Sequence, residues 1–132
     1  GACLVCLHHP PERRPVPTAY PLSLPWPASV RALAAMARVR PQLLVTAGHT
    51  HRNRRHAVSG VTVTEVASTK DFPGVWAGYQ VYDGGICQTV RRTLAPDAMS
   101  WTEYTRRAAG GLWAPYAPGR LRDRCFSLSW AP

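Results

Sequence analysis

The sequence predicts an α/β fold in which a parallel β-α-β unit is followed by antiparallel strands. Three observations carry that expectation. Two apolar runs, residues 2–7 and 42–47, show little alternation of polar and apolar positions, the pattern of strands covered on both faces of a parallel sheet. Between them lies a stretch with apolar residues at helical spacing. Beyond residue 60 period-two alternation begins, and a Gly-rich link joins two further strand-like runs as in a hairpin.

Ala2-Cys3-Leu4-Val5-Cys6-Leu7 forms the first run and ends at a histidine. A Pro-rich stretch from Pro10 to Pro27 follows, with Tyr20 and Trp26. Proline cannot donate to a sheet ladder, so this stretch belongs on the surface, as a flap over a site or as an ordinary excursion. Ser29 suits a helix N-cap, and Val30, Leu33, Ala34 and Ala37 then share one helical face. Pro41 ends the helix, because the residue before a proline is driven out of helical geometry. Gln42 to Ala47 is the second strand. Parallel neighbours need such a crossover, and ligands of parallel sheets sit beyond the carboxyl ends of the strands.

Further along, Arg52-Asn53-Arg54-Arg55 reads as a polar turn. Val61 to Val66 reads as a strand with one wet face. Residues 75–82 and 86–93 read as strands joined through Asp83-Gly84-Gly85, after a turn at Lys70 to Gly74. Ser100 and Glu103 are spaced as a capping box. Trp101, Tyr104 and Ala108 continue that helix's apolar face, and Gly110-Gly111 ends it. A last strand is expected around residues 125–130. The tryptophans, Tyr79, Tyr82 and Tyr104 are expected in the core. His56 and the arginines at 91–92, 106–107, 120, 122 and 124 are expected on solvated faces. Residues 1–95 form the core, and residues 96–132 an extension packed on it.

The formal charge is +9, from 16 basic residues, of which only Lys70 is a lysine, against seven acids. Such a balance suits nucleic acid, an anionic membrane or a phosphorylated substrate. An excess of Arg alongside much Ala and Pro is also what a compositional bias produces. The uncharged run from Pro15 to Val30 holds five prolines, which rules out a spanning helix there. Cys3, Cys6, Cys87 and Cys125 come without a secretory signal, so reduced thiols in a cytoplasmic setting are expected. On a strand Cys3 and Cys6 point to opposite faces and serve packing.

The chemistry lies in two clusters that hold four of the five histidines: His8-His9-Pro10-Pro11 and Gly48-His49-Thr50-His51. Each follows a buried-strand candidate, so parallel topology brings both to one end of the sheet. Neutral imidazole is a ligand for many transition metals. In extended backbone His49 and His51 face one side and Thr50 the other, while His8 and His9 diverge, so only one of that pair is expected to bind. Gly48 lets the backbone bend sharply.

In this order and at this separation, the two clusters resemble the last two motifs of the calcineurin-like metallophosphoesterases, with the resemblance running over roughly residues 1–95. It implies the C-terminal half of a four-layer α/β/β/α sandwich around a dinuclear centre of Mn, Fe, Zn or Mg. It implies that His8 and His49 bind one metal and His51 the other, with His9 behind the ligands or facing substrate. The implied reaction is hydrolysis of a small phosphomonoester or phosphodiester by a metal-activated water. The family's earlier motifs, Asp-x-His, Gly-Asp-x-x-Asp and Gly-Asn-His, are not in this sequence, and Glu12 is the sole acid before residue 61. The missing donors are therefore expected in an N-terminal half of the same protein, and this chain alone is expected to be inactive. Arg52, directly after His51, is a candidate contact to substrate phosphate. Two other classes compete: a basic nucleic-acid-binding domain, suggested by charge and the Arg52–Arg55 run, and a non-catalytic domain with a structural His-metal site.

Overall fold

The computed structural model describes residues 1–11 and 24–130. Most of the proline stretch, with Glu12 and Tyr20, lies outside the described residues. Its described ends meet: Pro10 and Pro11 are buried, and Pro11 bridges to Leu24.

The architecture is mixed α/β with two sheets. Strands β1 (Cys3–Leu7), β2 (Leu43–Ala47), β3 (Arg54–Val58) and β4 (Val61–Glu65) make the first, in the order β1-β2-β4-β3. β1 and β2 are parallel, with Leu7 beside Ala47, and helix α1 (Trp26–Val39) is their crossover. β2 and β4 are also parallel. β3 and β4 form an antiparallel hairpin through Ser59 and Gly60, both at positive φ (52° and 77°), the conformation of a primed hairpin turn.

Several expectations are corrected here. Arg54 and Arg55 open β3 instead of forming a turn; each has a partner, Arg54 on Glu65 and Arg55 over the ring of Phe126. β1 is an edge strand with Cys6 exposed, so it is not covered on both faces. α1 starts one turn before Ser29. Pro27 occupies its first turn, where a missing N–H costs no helical bond, and Ser29 Oγ donates to the Pro25 carbonyl. The expected apolar face is otherwise the one that packs: Leu33 is buried with Leu43, Val45, Val58, Val61 and Val63, and Val30 and Ala37 lie against that cluster.

The second sheet is antiparallel, in the order β5-β6-β7, from β5 (Val75–Tyr82), β6 (Gly85–Arg92) and β7 (Cys125–Ser129). It closes the face of the first sheet opposite α1, where Thr46 Oγ1 and the Tyr79 hydroxyl are 2.6 Å apart. Thr64, on the face expected to be wet, is therefore fully buried. Burial pushes the Tyr79 phenol above its ordinary pKa, although the hydrogen bond with Thr46 pulls the other way.

Helix α2 (Pro96–Arg106) begins at a proline, and Ser100 sits inside it rather than at a cap. Its buried residues are Thr102 and Thr105, with Thr105 Oγ1 accepting the Phe72 N–H at 2.9 Å. Trp101 and Tyr104 lie on the opposite side, 56% and 69% exposed, and Trp76 and Tyr82 of β5 are also exposed rather than core. Left-handed backbone at Ala109 and Gly110, inside the short turn α3 (Ala108–Gly111), separates α2 from the short helices α4 (Trp113–Tyr116) and α5 (Leu121–Arg124). All four cysteines are free thiols. Among the described residues no helix is long and apolar enough to cross a membrane.

Candidate metal centre

The parallel register of β1 and β2 brings both histidine clusters to the same end of the sheet. One backbone bond fixes them together: the Gly48 N–H donates to the His8 carbonyl over 3.1 Å. Beyond it the chain coils tightly, with Thr50 N–H on the Gly48 carbonyl at 2.7 Å. His49 and His51 both adopt left-handed backbone, with φ of 64° and 53°. Such conformations are uncommon for residues with a Cβ and collect at functional sites.

That coiling overturns the parity expected of an extended segment. His49 turns towards the first cluster, where its Nδ1 lies 3.3 Å from His8 Nε2. His9 joins them instead of diverging, because residues 8 and 9 form a bend past the end of β1 where strand alternation no longer holds. One ring nitrogen from each of His8, His9 and His49 lies within 4.8 Å of the others. Ring centroids are 4.7 Å apart for His8–His9, 5.2 Å for His8–His49 and 4.4 Å for His9–His49.

His51 is placed differently. Its Nδ1 pairs with Asp71 Oδ2 at 2.7 Å and its ring lies against Trp113, with centroids 5.6 Å apart. Asp71 is held in a turn whose N–H groups at residues 70 and 71 bond the Ser68 hydroxyl. The turn was legible in the sequence; its carboxylate's partner was not.

Arg52 is also placed differently from the expected phosphate contact. Its Nε donates to Glu65 Oε2 at 2.8 Å and its guanidinium lies over the Tyr116 ring. Glu65, at the end of β4, is fully buried and further accepts from Thr50 Oγ1 (2.7 Å) and Arg54 (3.2 Å). His56 Nδ1 lies 3.7 Å from the same carboxylate, so His56 is mostly buried rather than exposed. With Arg55 over Phe126, three arginines of the Arg52–Arg55 run are engaged internally. Sequence reasoning missed both Glu65 and Asn53. Asn53 is buried and bonds the carbonyls of Ala117 and Pro118 and the Ala67 N–H, strapping the C-terminal segment to the chain just after the second histidine cluster. No local signal marks either residue, because the side-chain hydrogen bonds named here all reach 11 or more residues along the chain.

The donor set suits a metal ion. Two imidazole nitrogens bound at about 2.0–2.1 Å to one tetrahedral ion stand about 3.4 Å apart; His8 and His49 already stand at 3.3 Å. The Nε2 atom of His9 is buried with no hydrogen-bond partner in the structure. A buried, unpaired imidazole nitrogen is costly, and a cation would satisfy it. Set against family models, characterised proteins and solved structures, the chain has no match.

Proposed function

We propose that this chain supplies the histidine side of a metal-dependent phosphoesterase centre, as the C-terminal half of a four-layer α/β/β/α sandwich. The observation that carries this reading is the 3.3 Å approach of His8 Nε2 to His49 Nδ1 from the ends of adjacent parallel strands. It accords with the resemblance in the histidine motifs, which gives those two residues to one ion and His51 to a second.

A bound divalent ion would lower the pKa of a coordinated water from near 16 towards about 7, making a nucleophile at neutral pH. The chain's own residues prepare for this. His8 and His49 are fixed by the Gly48–His8 backbone bond, and Asp71 and Trp113 fix the orientation of His51. Glu65 anchors Thr50 between the two histidines of the loop. The net charge of +9 favours the approach of an anionic ester. Arg52, committed to Glu65, serves the loop rather than the substrate in this arrangement.

The second ion needs carboxylate and amide donors, which this reading assigns to sequence preceding Gly1 in the same reading frame. The test is hydrolysis of p-nitrophenyl phosphate and bis(p-nitrophenyl) phosphate, with Mn²⁺, by the polypeptide that includes that sequence. The expected result is activity that falls at least about 100-fold in His49→Ala, a ligand loss costing no less than an outer-shell one. A reading frame without the Asp and Asn donors, or full activity in His49→Ala, contradicts the proposal.

A further inference from the structure

We propose that this chain binds one zinc-class divalent cation between His8, His9 and His49, with His9 as the third ligand and His51 outside the set. The inference shares His8 and His49 with the reading above and rests on it only there. The resemblance places His9 behind the ligands or facing substrate; in the structure its ring lies beside those of His8 and His49.

Four observations converge. The three ring nitrogens already lie within 4.8 Å of one another, a spacing that small side-chain rotations close to that of a bound ion. Nε2 of His9 is buried with no hydrogen-bond partner in the structure, so a ligand would satisfy it. The cluster is braced by the Gly48–His8 backbone bond and by the buried prolines that follow His9. His51 is meanwhile engaged elsewhere, with Nδ1 on Asp71 and its ring against Trp113.

The chemistry of the set decides which ion fits. Three neutral imidazoles without a carboxylate favour borderline cations such as Zn²⁺, Co²⁺, Ni²⁺ or Cu²⁺ over the oxygen-seeking Mg²⁺ and Ca²⁺. Three protein ligands leave a coordination position open. His8 is exposed, so that position is reachable from solvent.

The experiment is titration of the chelator-treated chain with Co²⁺, following the visible absorption of the bound ion, and competition with Zn²⁺ and Mg²⁺. One equivalent is expected, with the intense bands of a four-coordinate nitrogen-rich site, displaced by Zn²⁺ and not by Mg²⁺. His9→Ala is expected to weaken binding about 100-fold or more, since even an outer-shell partner costs up to that much; His51→Ala is expected to leave it unchanged. Equal losses in the two variants, no loss in His9→Ala, or no stoichiometric binding overturns the proposal; the last result leaves a hydrogen bond between neutral rings as the reason for the 3.3 Å approach. Should His9→Ala fail to fold, the ¹⁵N shifts of the wild-type imidazoles on adding Zn²⁺ decide: a large change at His9 without one at His51 is expected, and the reverse overturns it. Cobalt bound through His8 and His49 but indifferent to His9 sinks this inference and spares the phosphoesterase reading. A three-histidine site in a polypeptide that hydrolyses no phosphate ester does the opposite.

Discussion

Thr50 Oγ1 donates a 2.7 Å hydrogen bond to Glu65 Oε2, and both side chains are fully buried. This bond ties the turn between His49 and His51 to the end of β4. It also places a carboxylate where Arg52 and Arg54 can neutralise it. The shape of the His49–His51 loop therefore depends on a residue outside the histidine cluster.

Replacing Glu65 tests that dependence. A buried carboxylate with cationic partners leaves uncompensated charge when it is removed, at a cost of about 3–5 kcal/mol. Glu65→Gln is expected to destabilise the fold by an amount in that range, read from the denaturant midpoint at constant slope, and to weaken metal binding with it. A change within about 0.5 kcal/mol, as at an ordinary surface site, would show that the network carries little.

Gly119 tests the strap over the same loop. Its φ is +62°, and a Cβ there would run into the Asn53 carbonyl oxygen. Gly119→Ala is expected to cost about 2 kcal/mol, combining left-handed strain with displacement of the Asn53 backbone. Thermal unfolding measures it, and an unchanged midpoint contradicts it.

Tyr79 gives a pH dependence of known sign. Burial raises its pKa in the folded chain above the 10.0 of an ordinary tyrosine. The unfolded chain therefore releases this proton first as pH rises. The stabilisation is complete below pH 10.0 and is lost as pH climbs from there through the folded value. Tyr79→Phe is expected to cost about 1 kcal/mol at neutral pH, by stripping Thr46 of its partner, and to lose stability less steeply in alkali. Urea denaturation of both proteins at neutral pH and above pH 10.0 compares the slopes; identical slopes contradict the assignment.

The sequence made the β-α-β unit and the Asp83-Gly84 hairpin legible, because apolar runs and turn residues are local signals. Topology then sufficed to bring the two histidine clusters to one end of the sheet. Which rings meet was not legible. It depends on left-handed φ at His49 and His51 and on a bend at His8 and His9, none of which residue type dictates. Nothing local to its alternating strand marked Glu65 as a buried hub; its burial rests on the Thr50 and Arg52 side chains and on an arginine of β3. In α2 the apolar pattern pointed outward, because Thr102 and Thr105 lie on the buried face and Thr105 bonds the Phe72 backbone.

The most direct measurement is anomalous X-ray scattering at the zinc edge from crystals of the chain grown with Zn²⁺. A single peak within bonding distance of His8 Nε2 and His49 Nδ1, about 2.0–2.1 Å from each, is the predicted result. Ordered rings with no peak between them, or zinc bound only elsewhere on the surface, would contradict a shared cation at residues 8 and 49.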